Sequence, residues 1–169
     1  MKELLLLRHA KSDREVDVSD LERPLKKRGK RDAQNIGAWL KMQHFFPDVF
    51  LSSPAKRAID TAHLVYQELH VTDLVIREDE RLYATDIEQL KSVLASCPET
   101  AKRVLLVGHN PELENLLIHL VGNTALPNVE KLLPTSALAR LSWNGAWADL
   151  HEECTQLLSI TYAKSLLNE

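Results

Sequence analysis

The sequence predicts an α/β protein built on a mostly parallel sheet with an antiparallel edge. Three observations lead there. Leu4 to Leu7 and Val104 to Val107 are uninterrupted apolar runs bounded by polar residues, as expected of strands buried on both faces. Around them, short apolar runs alternate with segments whose apolar residues recur at helical spacing, the pattern of parallel strands joined by helical crossovers. Near the end, Ala137, Ala139, Leu141 and Trp143 occupy every second position and lead to Asn144-Gly145, a strong hairpin signal.

In chain order, Leu4 to Leu7 forms the first strand and delivers Arg8-His9 at its carboxyl end. Ala33, Ile36, Gly37 and Leu40 share one helical face, which predicts a first long helix from about Leu25 to His44, reached through Arg23-Pro24. Pro47-Asp48 stops it, and Val49 to Leu51 makes a short second strand. Ser52-Ser53-Pro54 reads as a helix start, with serines able to cap and Ile59, Ala62, Tyr66 and Leu69 as the apolar stripe behind it. Leu74 to Ile76 reads as a strand. Ile87, Leu90, Val93 and Leu94 line a helix ending near Pro98, and Leu113, Leu116, Leu117 and Leu120 line another after Pro111. The hairpin after Trp143 predicts a return strand over Trp147 to Leu150, with an exposed apolar edge that could support pairing.

The length of 169 residues suits a single domain, residues 1–169, with one compact core. No apolar stretch approaches the roughly 20 residues that cross a bilayer, and the first residues do not resemble a signal peptide, so a cytoplasmic protein without a membrane role is expected. Cys97 and Cys154 are too few for a disulfide framework or a thiolate metal site and are expected as free thiols. The net charge of −3 argues against nucleic acid as partner. Residues 8–31 nevertheless hold nine Lys or Arg against five acids, a local anion-attracting rim, of which Lys26, Lys27, Lys30 and Arg31 read as a solvated helix face.

Ligands of open α/β sheets bind outside the carboxyl ends of the strands, so His9 and the His109 that follows the Val104 run are expected to share one crevice. Arg57 falls within a turn of a helix amino terminus, where backbone N–H groups favour a bound phosphate. Arg8, His9, Arg57 and His109 thus supply two guanidiniums and two imidazoles, a set suited to a phosphoryl group: arginine forks bind its oxygens while a neutral imidazole attacks phosphorus. Nearby arginines disfavour the protonated imidazole and keep it nucleophilic. His44, His63, His70, His119 and His151 carry no such context, and Trp39, Trp143 and Trp147 read as packing residues.

Four motifs occur in register: Leu7-Arg8-His9-Ala10-Lys11-Ser12; Arg23-Pro24-Leu25 with Gly29; Ser52-Ser53-Pro54 with Arg57 and Thr61-Ala62; and Val107-Gly108-His109-Asn110-Pro111. Together they resemble the histidine phosphatase superfamily, specifically its small SixA-type phosphohistidine phosphatases, over residues 3 to about 143. The resemblance implies a phosphoglycerate mutase-like, three-layer α/β/α sandwich. It makes His9 the nucleophile that becomes phosphorylated, with Arg8, Arg57 and His109 gripping the phosphoryl group, and it implies no metal and no cofactor. Ser12 matches a position near the phosphate pocket, where its hydroxyl donates a hydrogen bond or else caps the next turn. Glu80, in Glu80-Arg81-Leu82-Tyr83, resembles the segment that carries the proton donor in mutase-like members and is the candidate general acid and water-activating base, a solvated acidic loop being the plainer reading.

Two departures stand out. Ala10 replaces the glycine of the commonest family motif. Between Arg57 and His109 no stretch is left for the cap domain that mutases and sugar phosphatases of the superfamily use to enclose small substrates. An open site suits phosphohistidine on a signalling or phosphotransfer protein as substrate, and a monomer is expected; a general phosphomonoesterase for small metabolites, or a phosphate-binding module without turnover, are the alternatives.

Overall fold

The computed structural model describes residues 1–166. Six strands and five helices follow in the order β1 (Lys2–Arg8), α1 (Lys27–Met42), β2 (Val49–Ser52), α2 (Lys56–Leu69), β3 (Ile76–Glu78), α3 (Ile87–Ala95), β4 (Arg103–Gly108), α4 (Glu112–Val121), β5 (Leu138–Trp143), β6 (Gln156–Thr161) and α5 (Ala163–Leu166). The strands form one sheet in the order β3-β2-β4-β1-β5-β6. The first four are parallel, while β5 runs antiparallel to β1 and β6 antiparallel to β5.

The four leucines of β1 are fully buried because the central strand is covered on both faces. Leu4 and Leu6 join Val104, Leu106, Val49 and Leu51 in a core closed by Leu90 and Val93 of α3 and by Leu113, Leu116, Leu117 and Leu120 of α4. Leu5 and Leu7 point the other way, with Leu105, Val107 and Phe50, onto Ile36 and Leu40 of α1 and Ala58, Ala62 and Val65 of α2. The strict alternation of strand side chains makes the three layers from one apolar run. Each fully buried leucine contributes about 1.5 to 3 kcal/mol of transfer free energy. On one face α1 and α2 pack closely, a Cβ on Gly37 falling 2.8 Å from the Val65 carbonyl oxygen.

Three sequence expectations are corrected. The third strand is Ile76–Glu78 and not Leu74 to Ile76, because its register is set by pairing Phe50 with Ile76 on β2 rather than by local apolarity. The partner of β5 is Gln156–Thr161 and not Trp147 to Leu150, where Trp147–Asp149 instead turns as a 3-10 helix that plugs Trp147 into the core, edge-on to Trp143 with ring centroids 4.6 Å apart. With β6 covering β5, the exposed edge lies on β6. The first helix is trimmed to Lys27–Met42, and Lys26, Lys27, Lys30 and Arg31 are exposed as expected. Both cysteines are free, and burial pushes the Cys97 thiol up to about 11. None of the described helices is long and apolar enough to cross a membrane.

Candidate functional site

Sheet register places the two histidines. Arg8 pairs with Gly108 across the parallel β1 and β4, so His9 and His109 leave the sheet side by side at its carboxyl edge. The His9 N–H is anchored on the Gly108 carbonyl at 3.0 Å, and the two rings stand 5.2 Å apart. The sequence expectation of one crevice is thus met by geometry.

His9 is buried, with 6% of its surface exposed. Its Nδ1 lies 2.7 Å from the Ala10 carbonyl oxygen, which can only accept, so Nδ1 carries the proton and Nε2 presents a lone pair. Burial, then the charges around His109, Arg57 and Arg8, lower its pKa to about 3, against the pull of the Ala10 carbonyl. The ring is therefore neutral, as a nucleophile requires. His109 is lowered to about 4, first by burial and then chiefly by Arg57.

The loop after β1 is locked from two sides. The Ala10 N–H donates to Thr61 Oγ1 at 3.0 Å, and Thr61 in turn donates to the Arg57 carbonyl at 2.7 Å, tying the loop to α2. The Ala10 methyl, which departs from the family glycine, packs with Leu25 and Ala33. Gly29 is needed where α1 crosses this loop: a Cβ there would lie 2.2 Å from the Lys11 carbonyl oxygen.

Arg8 donates from Nη1 to the Leu133 carbonyl at 3.1 Å, and Arg57 is the second residue of α2 and is buried. The nitrogens Nε of Arg8, Arg23 and Arg57 are buried without a partner among the described residues, so each guanidinium keeps an unused donor. Arg57 is held at its far end by one residue: Nη1 donates to the Asp20 carbonyl at 2.6 Å and Nη2 to Asp20 Oδ2 at 3.0 Å. The same carboxylate accepts the Tyr83 hydroxyl at 2.5 Å and pairs with Arg23 at 3.2 Å. These donors, the Tyr83 hydroxyl first, hold the Asp20 carboxyl below its ordinary range. The Tyr83 ring stands edge-on to His109 at 5.6 Å.

Other expectations are met only in part. The serines of Ser52-Ser53-Pro54 do not cap α2; Ser52 ends β2, while Ser53 Oγ accepts the Ala55 N–H at 3.3 Å and lies 2.7 Å from His109 Nε2. Ser12 is buried with its backbone bridged to Leu25, and the turn it was expected to cap is capped by Asp13, which accepts the Glu15 N–H. Glu80 is exposed at the start of a 3-10 turn, and among the described residues its carboxylate takes part in no hydrogen bond or ion pair; its neighbour Asp79 is engaged by Arg81 instead. Arg23, Ser53 and Tyr83 appear in the sequence as parts of quoted motifs without a site role of their own, and Asp20 carries no such signal. Among the described residues, no three His, Cys, Asp or Glu are grouped to hold a metal ion.

The chain is 34% identical over 161 residues to an uncharacterized protein of Mycobacterium tuberculosis strain H37Rv, an alignment covering 90% of this chain and 96% of that one. Its fold matches a chain proposed to be the phosphohistidine phosphatase SixA of Nakamurella multipartitia, with a TM-score of 0.82, 28% identity and 95% of each chain covered. It matches the SixA proposed for Agrobacterium tumefaciens with a TM-score of 0.78, 28% identity, and 95% and 97% of the two chains covered. Residues 4–92, which hold most of β1, His9, Arg57 and the Asp20 clasp, match the model of the histidine phosphatase superfamily (branch 1), and it is to this superfamily that the chain belongs.

Proposed function

We propose that the protein is a metal-independent phosphatase that hydrolyses phosphohistidine on a protein surface through a phospho-His9 intermediate. The observation that carries this reading is the 2.7 Å contact between His9 Nδ1 and the Ala10 carbonyl oxygen, which commits the Nδ1–H and leaves the Nε2 lone pair for attack. Arg8, Arg57 and His109 hold the phosphoryl oxygens, and the two guanidiniums neutralise their charge, as His9 Nε2 attacks. The new N–P bond forms as the bond to the leaving nitrogen breaks, and that nitrogen departs with a proton. Water then attacks phosphorus, breaks the His9 N–P bond and releases inorganic phosphate. Each well-placed donor to the phosphoryl oxygens is worth about 10² to 10³ in rate.

Ser12 adds a hydroxyl donor at the rim, and Glu80 is the candidate acid and base, free in the exposed loop to approach a bound leaving group. The protein-borne substrate is supported by the chain between Arg57 and His109, where α2, β3, the Glu80–Leu82 turn, α3 and β4 follow one another with no connection longer than seven residues. It is supported too by the SixA descriptions of the Nakamurella and Agrobacterium proteins. The protein is proposed to act as a cytoplasmic, monomeric single domain over residues 1–169, without nucleic acid or membrane partners.

The test is phosphate release in EDTA from a histidine-phosphorylated protein and from an aryl phosphate, comparing wild type with His9→Ala and Glu80→Gln. Fast, His9-dependent release from phosphohistidine with little ester turnover is expected. Equal or faster ester hydrolysis would move the assignment to a general phosphomonoesterase, and release from neither to a binding module. Because an alkyl oxygen leaves poorly without an acid, Glu80→Gln should slow hydrolysis of an alkyl phosphate more than that of phosphohistidine; equal loss on both removes Glu80 from the role.

A further inference from the structure

Among the described residues the His109 side chain makes one hydrogen bond and leaves one ring nitrogen without a partner. Its Nε2 is 2.7 Å from Ser53 Oγ, and its Nδ1 is buried with no partner among the described residues. Ser53 is fully buried where β2 gives way to α2, its own N–H fastened to the Val107 carbonyl at 3.0 Å, one strand over from His109. The hydroxyl oxygen also accepts the Ala55 N–H at 3.3 Å.

We propose that Ser53 is a positioning residue that sets the tautomer of His109, keeping its proton on Nδ1 so that this nitrogen donates to an oxygen of the bound phosphoryl group. The proposal rests on reading the site as a phosphoryl pocket.

Hydrogen-bond counting favours one arrangement. A serine hydroxyl has one proton and two lone pairs. If it donates to Nε2 and accepts from Ala55, all three groups are satisfied, and the imidazole proton falls on Nδ1. The opposite tautomer would donate Nε2–H to Oγ and strand the hydroxyl proton in a site without water access, at a cost of about 1 to 3 kcal/mol. It would also aim the Nδ1 lone pair at an anion, where a donor is needed. A doubly protonated ring would satisfy Ser53 as an acceptor, but burial beside Arg57, Arg23 and Arg8 opposes it, with only Asp20 acting the other way. In the resulting chain, Ala55 N–H to Ser53 O–H to His109 to phosphoryl oxygen, every donor points toward the charge.

The test is nitrogen-15 NMR of the imidazoles in the full-length protein at pH 7, free and with inorganic vanadate, with His109→Asn to assign the signals. Wild type is expected to show His109 neutral and protonated on Nδ1, with that signal shifting on vanadate addition. In Ser53→Ala the Nε2–H form should become the major species and vanadate should bind about tenfold more weakly, while Ser53→Thr, which keeps the hydroxyl, should restore both. An Nε2–H or doubly protonated His109 in wild type, or an unchanged tautomer in Ser53→Ala, would overturn the proposal. Should Ser53→Ala not fold, the wild-type spectrum still decides. Vanadate binding through an Nδ1–H tautomer without His9-dependent hydrolysis would leave the role of Ser53 standing and remove the phosphatase reading alone.

Discussion

Lowering the pH from 7.5 to 5 should destabilise the fold through the two site histidines. Both have folded pKa values depressed from the ordinary 6.5, to about 3 for His9 and about 4 for His109, with burial as the first cause. The unfolded chain therefore binds protons that the native state refuses, and stability falls as pH drops below about 6.5. The loss continues until the folded values are reached. At pH 5 each imidazole is about 1.5 units below its unfolded value and still neutral when folded, so each costs about 2 kcal/mol and the pair about 4 kcal/mol. Carboxylates such as Asp20 and Asp79, held below their ordinary range, begin to add their own losses below about pH 5, which leaves the interval from 6.5 to about 5 to the histidines. Urea unfolding at the two pH values, with a slope of about 2 kcal/mol per molar, should show the midpoint falling by about 2 M. His9→Asn and His109→Asn should each remove about half of that fall. A wild-type midpoint that moves by less than 0.5 M, or a His9→Asn protein that keeps the full fall, would refute the buried neutral pair on which the nucleophile depends.

The remaining predictions concern the supports of the site. Gly29→Ala drives a Cβ into the Lys11 backbone, which neither partner can yield cheaply, and should cost about 3 kcal/mol or more, lowering Tm by about 6 to 12 °C in thermal denaturation; a change below 2 °C would contradict the close crossing. Thr61→Val removes the acceptor of the buried Ala10 N–H and should cost about 1 to 3 kcal/mol, with a matching loss of activity as His9 loosens. Asp20→Asn keeps the backbone grip on Arg57 but weakens the charged one, and should lower kcat/KM about tenfold; a rise in kcat/KM instead would show the carboxylate competing with substrate for Arg57.

Arg8, His9, Arg57 and His109 were legible because their positions follow from local rules: apolar runs make buried strands, and residues at their carboxyl ends, or at the start of the helix that follows, face one edge of the sheet. The same rules place all three layers, since alternate leucines of one run must face opposite covers. Asp20, Tyr83 and Ser53 escaped because nothing local shows which distant side chain each will meet. Asp20 lies in an exposed strap with no periodicity and meets Arg57 37 residues away and Tyr83 63 residues away. Ser53 looked like a helix cap and became the partner of a histidine 56 residues on. The misplaced third and last strands have the same origin, for strand limits are set by which neighbour is free to pair. Composition and period thus determined by themselves the layers, the order of the early elements and the two histidines of the crevice. Only the tertiary structure decided the hydrogen-bond partners that orient Arg57, carry the proton on one nitrogen of His9 and hold His109, because those bonds join segments whose approach no single stretch of sequence encodes.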